Sequence, residues 1–279
     1  MGICPVTGAY DLRGGVGLAT WQPPDAEEFE AMALPLWREA LVGMDWLTLR
    51  ASPVYRGIGV PHGDGSVVVL IPGFLGSDQY LGDMFSWLRR IGYQPYMSGI
   101  GRNSQCPDTL TGRLIETVNG AYLESGRKVH LVGHSLGGTL ARSVAVHKPH
   151  LVASVITMAS PFRAVRAHPM VLGAAMIVRR RILSENSVQP DCYSGFCSCD
   201  FLNSLRQPLA DSIVEAAIYT KGDGVIDWRC CVNDDPETDI EVHGTHVGLV
   251  FNSQVYRHVA NVLAAAVERG QHLADSQTA

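Results

Sequence analysis

No stretch of this 279-residue chain is apolar for long enough to cross a membrane. The longest uncharged apolar run in a helix-like region is Met170 to Val178, against the roughly 20 residues that a spanning helix needs. No basic stripe is present and the net charge is −5, so nucleic acid is not an expected partner. Residues Met1 to Thr7 hold no charged segment followed by an apolar one. The expectation is therefore no secretory signal and a cytoplasmic location. No internal repeat is visible. Apolar residues make up 46% of the chain and charged residues 18%, which suits one large α/β domain with an inserted cap better than two generous domains.

Cysteine is present in an odd number, seven. Cys192, Cys197 and Cys199 cluster near the middle, and Cys230 adjoins Cys231. Buried thiols are the expected state in a reducing compartment. Disulfides pinning the cap to the loop before the last strand are an alternative. Zinc fits poorly, because its sites favour closer Cys pairs.

Alternating strand and helix patterns run through the chain. From Pro24 the apolar residues Phe29, Met32, Ala33, Leu36, Trp37 and Ala40 recur at helical spacing. Tyr55 to Val60 reads as an early strand and Ser66 to Ile71 as a strand buried on both faces. A helix near Tyr80 to Ile91, a strand at Gln94 to Ser98 and a helix at Leu110 to Ser125 follow. Strands are then expected at Lys128 to Val132, Leu151 to Ala159, Glu215 to Thr220 and Asp239 to Val242, and a last helix at Ser253 to Glu268. The fold class implied is α/β: a mostly parallel sheet with helices on both faces. Residues 1–22 read as a loose arm, 23–162 and 209–270 as the core, 163–208 as a strandless cap, and 271–279 as a frayed tail.

Residues 133–138 read Gly-His-Ser-Leu-Gly-Gly at the end of an apolar strand, and a helical stretch follows. Glycines on either side of Ser135 permit a tight strand-to-helix corner that would lift its hydroxyl out of the sheet. This sequence resembles the α/β-hydrolase fold, in particular bacterial lipases and esterases. The resemblance implies a nucleophilic Ser135 followed in chain order by an acid and a histidine.

Among the late histidines, His258 falls in the last helix and His272 in the tail, whereas His243 and His246 follow the final strand. His246 is favoured because Gly244-Thr245-His246-Val247-Gly248-Leu249 resembles the family's pattern around its base. The acid should follow the next-to-last strand. Asp223-Gly224-Val225 resembles the lipase pattern there, which makes Asp223 the choice and Asp227 the alternative. The resemblance further implies an oxyanion hole from the backbone N–H groups of Leu136 and Phe74. Pro72 stands where the lipase loop usually has histidine.

Met170, Met176 and Phe196 are expected walls of an apolar pocket. The run from Pro169 to Val178, followed by Arg179, Arg180 and Arg181, reads either as a mobile lid or as a helix packed on the core with snorkelling arginines. Together these features imply a serine carboxylester hydrolase for apolar acyl or aromatic esters, with a small-molecule or lipid ester as partner. No metal or organic cofactor is expected. An acyltransferase using the same triad and a silent hydrolase-like binding protein are the rival readings.

Overall fold

A computed structural model describes residues 29–186 and 199–278. The expected arm at 1–22, Cys192, Cys197 and Phe196 lie outside the described residues.

Val67–Ile71 (β2) is a run of four β-branched residues and one leucine, and all five side chains are buried. A strand of that composition belongs in the middle of a sheet covered on both faces. β2 lies between Gln94–Met97 (β3) and Val129–His134 (β4), and the order continues through Val152–Met158 (β5), Val214–Tyr219 (β7) and Asp239–Glu241 (β8). Every pairing in this six-stranded sheet is parallel. Alternation along β2 divides the core. Val68 and Leu70 pack with Trp87 of Gly82–Arg90 (α2) and Tyr256 of Ser253–Thr278 (α7). Val67, Val69 and Ile71 pack with Leu114 of Pro107–Ser125 (α3), Leu140 of Leu136–His147 (α4) and Phe201 of Asp200–Leu205 (α6).

Four expectations are corrected. The helix read from Pro24 would have carried Pro35 in its interior, where proline removes a hydrogen bond and clashes. Instead Phe29–Ala31 (β1) is extended, a 3-10 turn covers Leu36–Leu41 directly after Pro35, and the helix proper is Val42–Ala51 (α1). β1 pairs in parallel with Val165–Ala167 (β6), so residues 163–208 do contain a strand. Tyr55 to Val60 is not a strand: Pro53 opens a 3-10 turn at Val54–Arg56 and Gly57 closes it at φ 83°. At the other end α7 runs past Glu268 to Thr278, since no glycine or proline follows Gly270 to stop it. Pro169–Asn186 (α5) lies between β6 and α6 in the chain. Among the described residues no helix is long and apolar enough to cross a membrane.

Candidate active site

Ser135 sits between β4 and α4 with φ 53° and ψ −127°, a conformation non-glycine residues rarely adopt. The corner is tight enough to require its glycines. A Cβ on Gly133 would lie 2.5 Å from the Gly137 backbone, and one on Gly137 would lie 2.3 Å from the Ile71 carbonyl. Backbone bonds hold the serine in place: Ser135 N–H donates to the Met158 carbonyl at 2.8 Å, and Gly138 N–H donates to the Ser135 carbonyl at 3.0 Å.

His246 and Asp223 form a buried pair. The imidazole Nδ1–H donates to Asp223 Oδ2 at 2.7 Å, which leaves Nε2 as the nitrogen able to take up a proton. Asp223 Oδ1 accepts the N–H groups of Val225 at 2.8 Å and Ile226 at 2.7 Å, so the carboxylate is fixed through both oxygens. Asp227 serves differently: its Oδ1 accepts Arg229 N–H at 3.1 Å and pairs with the Arg229 guanidinium at 3.2 Å. His243 is exposed and His258 lies on α7. Burial by itself lowers the His246 pKa, but the charge and hydrogen bond of Asp223, with a further contribution from Glu39, hold it above the ordinary histidine value.

Ser135, His246, Phe74 and Leu136 all line one cavity of about 640 Å³. Leu136 opens α4, so its N–H has no partner within the helix. Phe74 follows Gly73, which fits under the serine corner only without a side chain: a Cβ there would lie 3.0 Å from Ser135 Cβ. Met170 lines the cavity, together with Leu172, Ala175, Phe201 and Leu205. Met176, the residue after Ala175 on α5, does not line the cavity and is exposed.

Four further residues near the site were not singled out by the sequence. His134, within the serine motif itself, donates from Nε2 to the His246 carbonyl at 2.9 Å, and its ring lies 4.9 Å from the His246 ring. Burial, then the neighbouring His246, push its pKa down to about 3. Tyr80 donates its hydroxyl to the Val247 carbonyl at 3.2 Å and also lines the cavity. Asn103 is fully buried and donates to the Pro72 carbonyl at 2.8 Å, while its backbone N–H and carbonyl bond Gly76 and Leu75. It thereby holds the loop that carries Phe74. Glu39 bonds the loops of both Asp223 and His246. The only signal for His134 was its place in the motif; the other three contacts join segments distant in the chain.

Cys230 and Cys231 are buried thiols, and burial raises both pKa values. Among the described residues no group of three or more His, Cys, Asp or Glu is arranged to hold a metal.

A family model described as alpha/beta hydrolase fold matches residues 124–185, the stretch from the end of α3 through the serine corner into α5. The chain is 32% identical over 143 residues to a triacylglycerol lipase of Burkholderia plantarii, covering 48% of this chain and 40% of the relative. It is 34% identical over 106 residues to a triacylglycerol lipase of Pseudarthrobacter phenanthrenivorans, covering 34% of this chain and 33% of the relative. The matches thus span well under half the length of these relatives. A carboxylesterase structure from Nitrososphaera gargenis superimposes with TM-score 0.53 at 14% identity, over 74% of this chain and 93% of that one.

Proposed function

The chain carries the α/β-hydrolase fold and is similar to lipases and esterases, and we propose that it is a serine carboxylester hydrolase acting on small-molecule or lipid esters with apolar acyl or aromatic parts. One observation carries this reading. Ser135, on a strained corner, opens on the same apolar cavity as His246, whose far nitrogen is bound to the buried Asp223.

In this reading Ser135 Oγ attacks the ester carbonyl and His246 Nε2 takes the hydroxyl proton. Asp223 keeps the imidazole in the right tautomer and offsets its positive charge. The N–H groups of Phe74 and Leu136 hold the oxyanion, each worth about 3 kcal/mol of barrier. His246 then returns the proton to the leaving alcohol, and water releases the acyl group by the same path. The reaction calls on no metal or organic cofactor. In this reading α5 belongs to a cap over the core and supplies Met170, Leu172 and Ala175 to the acyl pocket.

Initial rates on p-nitrophenyl esters from acetate to palmitate, with Ser135→Ala as control, test the reading. Wild-type turnover that disappears in the folded variant is expected. Undiminished hydrolysis by Ser135→Ala, or a wild type that neither turns over nor reacts with a fluorophosphonate, would refute it.

A further inference from the structure

Glu39 lies in the 3-10 turn after Pro35, nearly a hundred residues before the serine, in a segment without any catalytic motif. Its carboxylate accepts three backbone N–H groups from two loops. Oε1 takes Gly224 at 3.1 Å and His246 at 3.0 Å, and Oε2 takes Val247 at 2.8 Å. Gly224 directly follows Asp223, so one side chain joins the loop of the acid to the loop of the base. The fit is close: a Cβ on Gly224 would lie 2.7 Å from the Pro35 carbonyl and 3.0 Å from Glu39 Oε1. The two loops are also joined without Glu39, by Thr220 Oγ donating to the Gly244 carbonyl at 3.1 Å. That link leaves from the end of β7, where Thr220 also accepts the N–H groups of Gly222 and Asp223, but it meets the base loop only at Gly244, two residues before His246.

We propose that Glu39 is a positioning residue for the ester hydrolysis described above: it holds the acid and base loops at the separation at which Asp223 reaches His246, and its charge favours the imidazolium formed when Ser135 loses its proton. The inference rests on that reading of the site. Three backbone N–H groups bind the carboxylate, and an ionised glutamate satisfies all three with charge-assisted bonds. Glutamine would turn an amide N–H toward at least one backbone N–H. A shift of even an ångström between acid and base costs large factors in rate.

Several groups face His246. Asp223 and Glu39 favour its protonated form, and the neighbouring His134 ring is neutral and buried. Tyr80 binds the next carbonyl. Asp45 lies behind Gly248, and burial followed by the charge of Glu39 raises its pKa. Among the described residues, Glu39 is therefore the carboxylate that bonds the backbone N–H of the base, whereas Asp223 bonds its ring.

The test uses the full chain with Glu39→Gln and Glu39→Asp. On a short p-nitrophenyl ester, Glu39→Gln should lower kcat roughly tenfold or more, with KM changed by less than about threefold. The acid limb of kcat/KM should move to lower pH, by about half a unit, because a negative charge near the base is lost. Fluorophosphonate labelling of Ser135 should slow in proportion, and Glu39→Asp should recover part of each loss. Rates within about twofold of wild type with an unmoved acid limb would overturn the inference. So would a Glu39→Gln chain that loses near-UV circular dichroism together with activity, since Glu39 would then be a folding residue. A wild type without turnover or labelling sinks the esterase reading itself. An active wild type with indifferent variants sinks only the role of Glu39.

Discussion

Asp223 and Asp227 lie four residues apart, in one loop, and both are buried. Their hydrogen bonds separate them. Asp223 Oδ1 is occupied by two backbone N–H groups, so only Oδ2 faces His246. In Asp223→Asn the same backbone donors would keep the amide oxygen and turn the amide N–H group toward His246. The imidazole would then carry its proton on Nε2 and could not accept one from Ser135. The expected loss in kcat is roughly 10³–10⁴-fold. Asp227→Asn should change kcat by less than about tenfold, because Asp227 caps the turn at Trp228–Cys231 and pairs with Arg229. Measuring both variants on one ester decides between them; a larger loss in Asp227→Asn would move the acid role there. The sequence placed both candidates after the right strand, and a lipase-like pattern favoured the first. Which carboxylate reaches the imidazole depends on how the loop folds back, and that direction is not written in local spacing.

At the scale of elements, the corner that presents Ser135 is held from behind. Arg142 on α4 pairs with Glu215 on β7, and its guanidinium lies 4.3 Å above the Phe162 ring. The pair is largely buried, at 8% and 17% side-chain exposure. Burial lowers the arginine pKa to about 10, so it stays charged at neutral pH. Arg142→Met should destabilise the fold by about 3 kcal/mol, because Glu215 is left without its charge partner. For a domain of this size that corresponds to a fall in Tm of very roughly 6–12 °C by calorimetry. A fall under about 2 °C would mean that the pair contributes little beyond its own desolvation. Long elements with strong patterns were legible. β2, α3, β4 and α7 all form near where their apolar periods put them. Short elements were not. β1 and β6 have three residues each and exist because they pair with each other across more than a hundred residues. Tyr55 has the composition of a strand residue, yet it turns between Pro53 and Gly57 and its hydroxyl bonds Asp83.

Considered as a whole, the molecule buries two histidines that the reaction needs neutral or does not use. His130 lies within β4, its Nδ1 2.8 Å from Ser154 Oγ, and burial lowers its pKa to about 4. His134, also on β4, is lowered to about 3. A histidine depressed in the folded state binds fewer protons there than in the unfolded chain, so stability rises with pH across the window between the two values. Stability is therefore fully present above the ordinary value near 6.5 and is lost as pH falls toward about 4. Each group should remove about 2 kcal/mol by pH 5. His246, with its pKa raised, has the opposite sign, since the stability of its pairing is present at low pH and lost as pH rises through the folded value. The first effect has two contributors and should dominate. Tm is expected to fall between pH 7 and pH 5, and the double variant His130→Leu, Ser154→Ala should fall less steeply. A Tm independent of pH over that range would contradict the burial of both rings.

What the chain determined by itself is local. The β-branched strands, the glycines that admit a tight corner and the serine between them are properties of neighbouring residues, set by steric and periodic rules that act within a few positions. The arrangement around that serine is not local. Glu39 with Gly224 and Val247, Asn103 with Pro72, His134 with the His246 carbonyl, and Tyr80 with Val247 are hydrogen bonds between segments 31 to 208 residues apart. A lone glutamate or asparagine in a loop reads as solvated until the sheet brings a backbone donor or carbonyl within 3 Å of it. Only the stacking of strands in the order β3-β2-β4-β5-β7-β8, which gathers the loops at one end, decides that they meet.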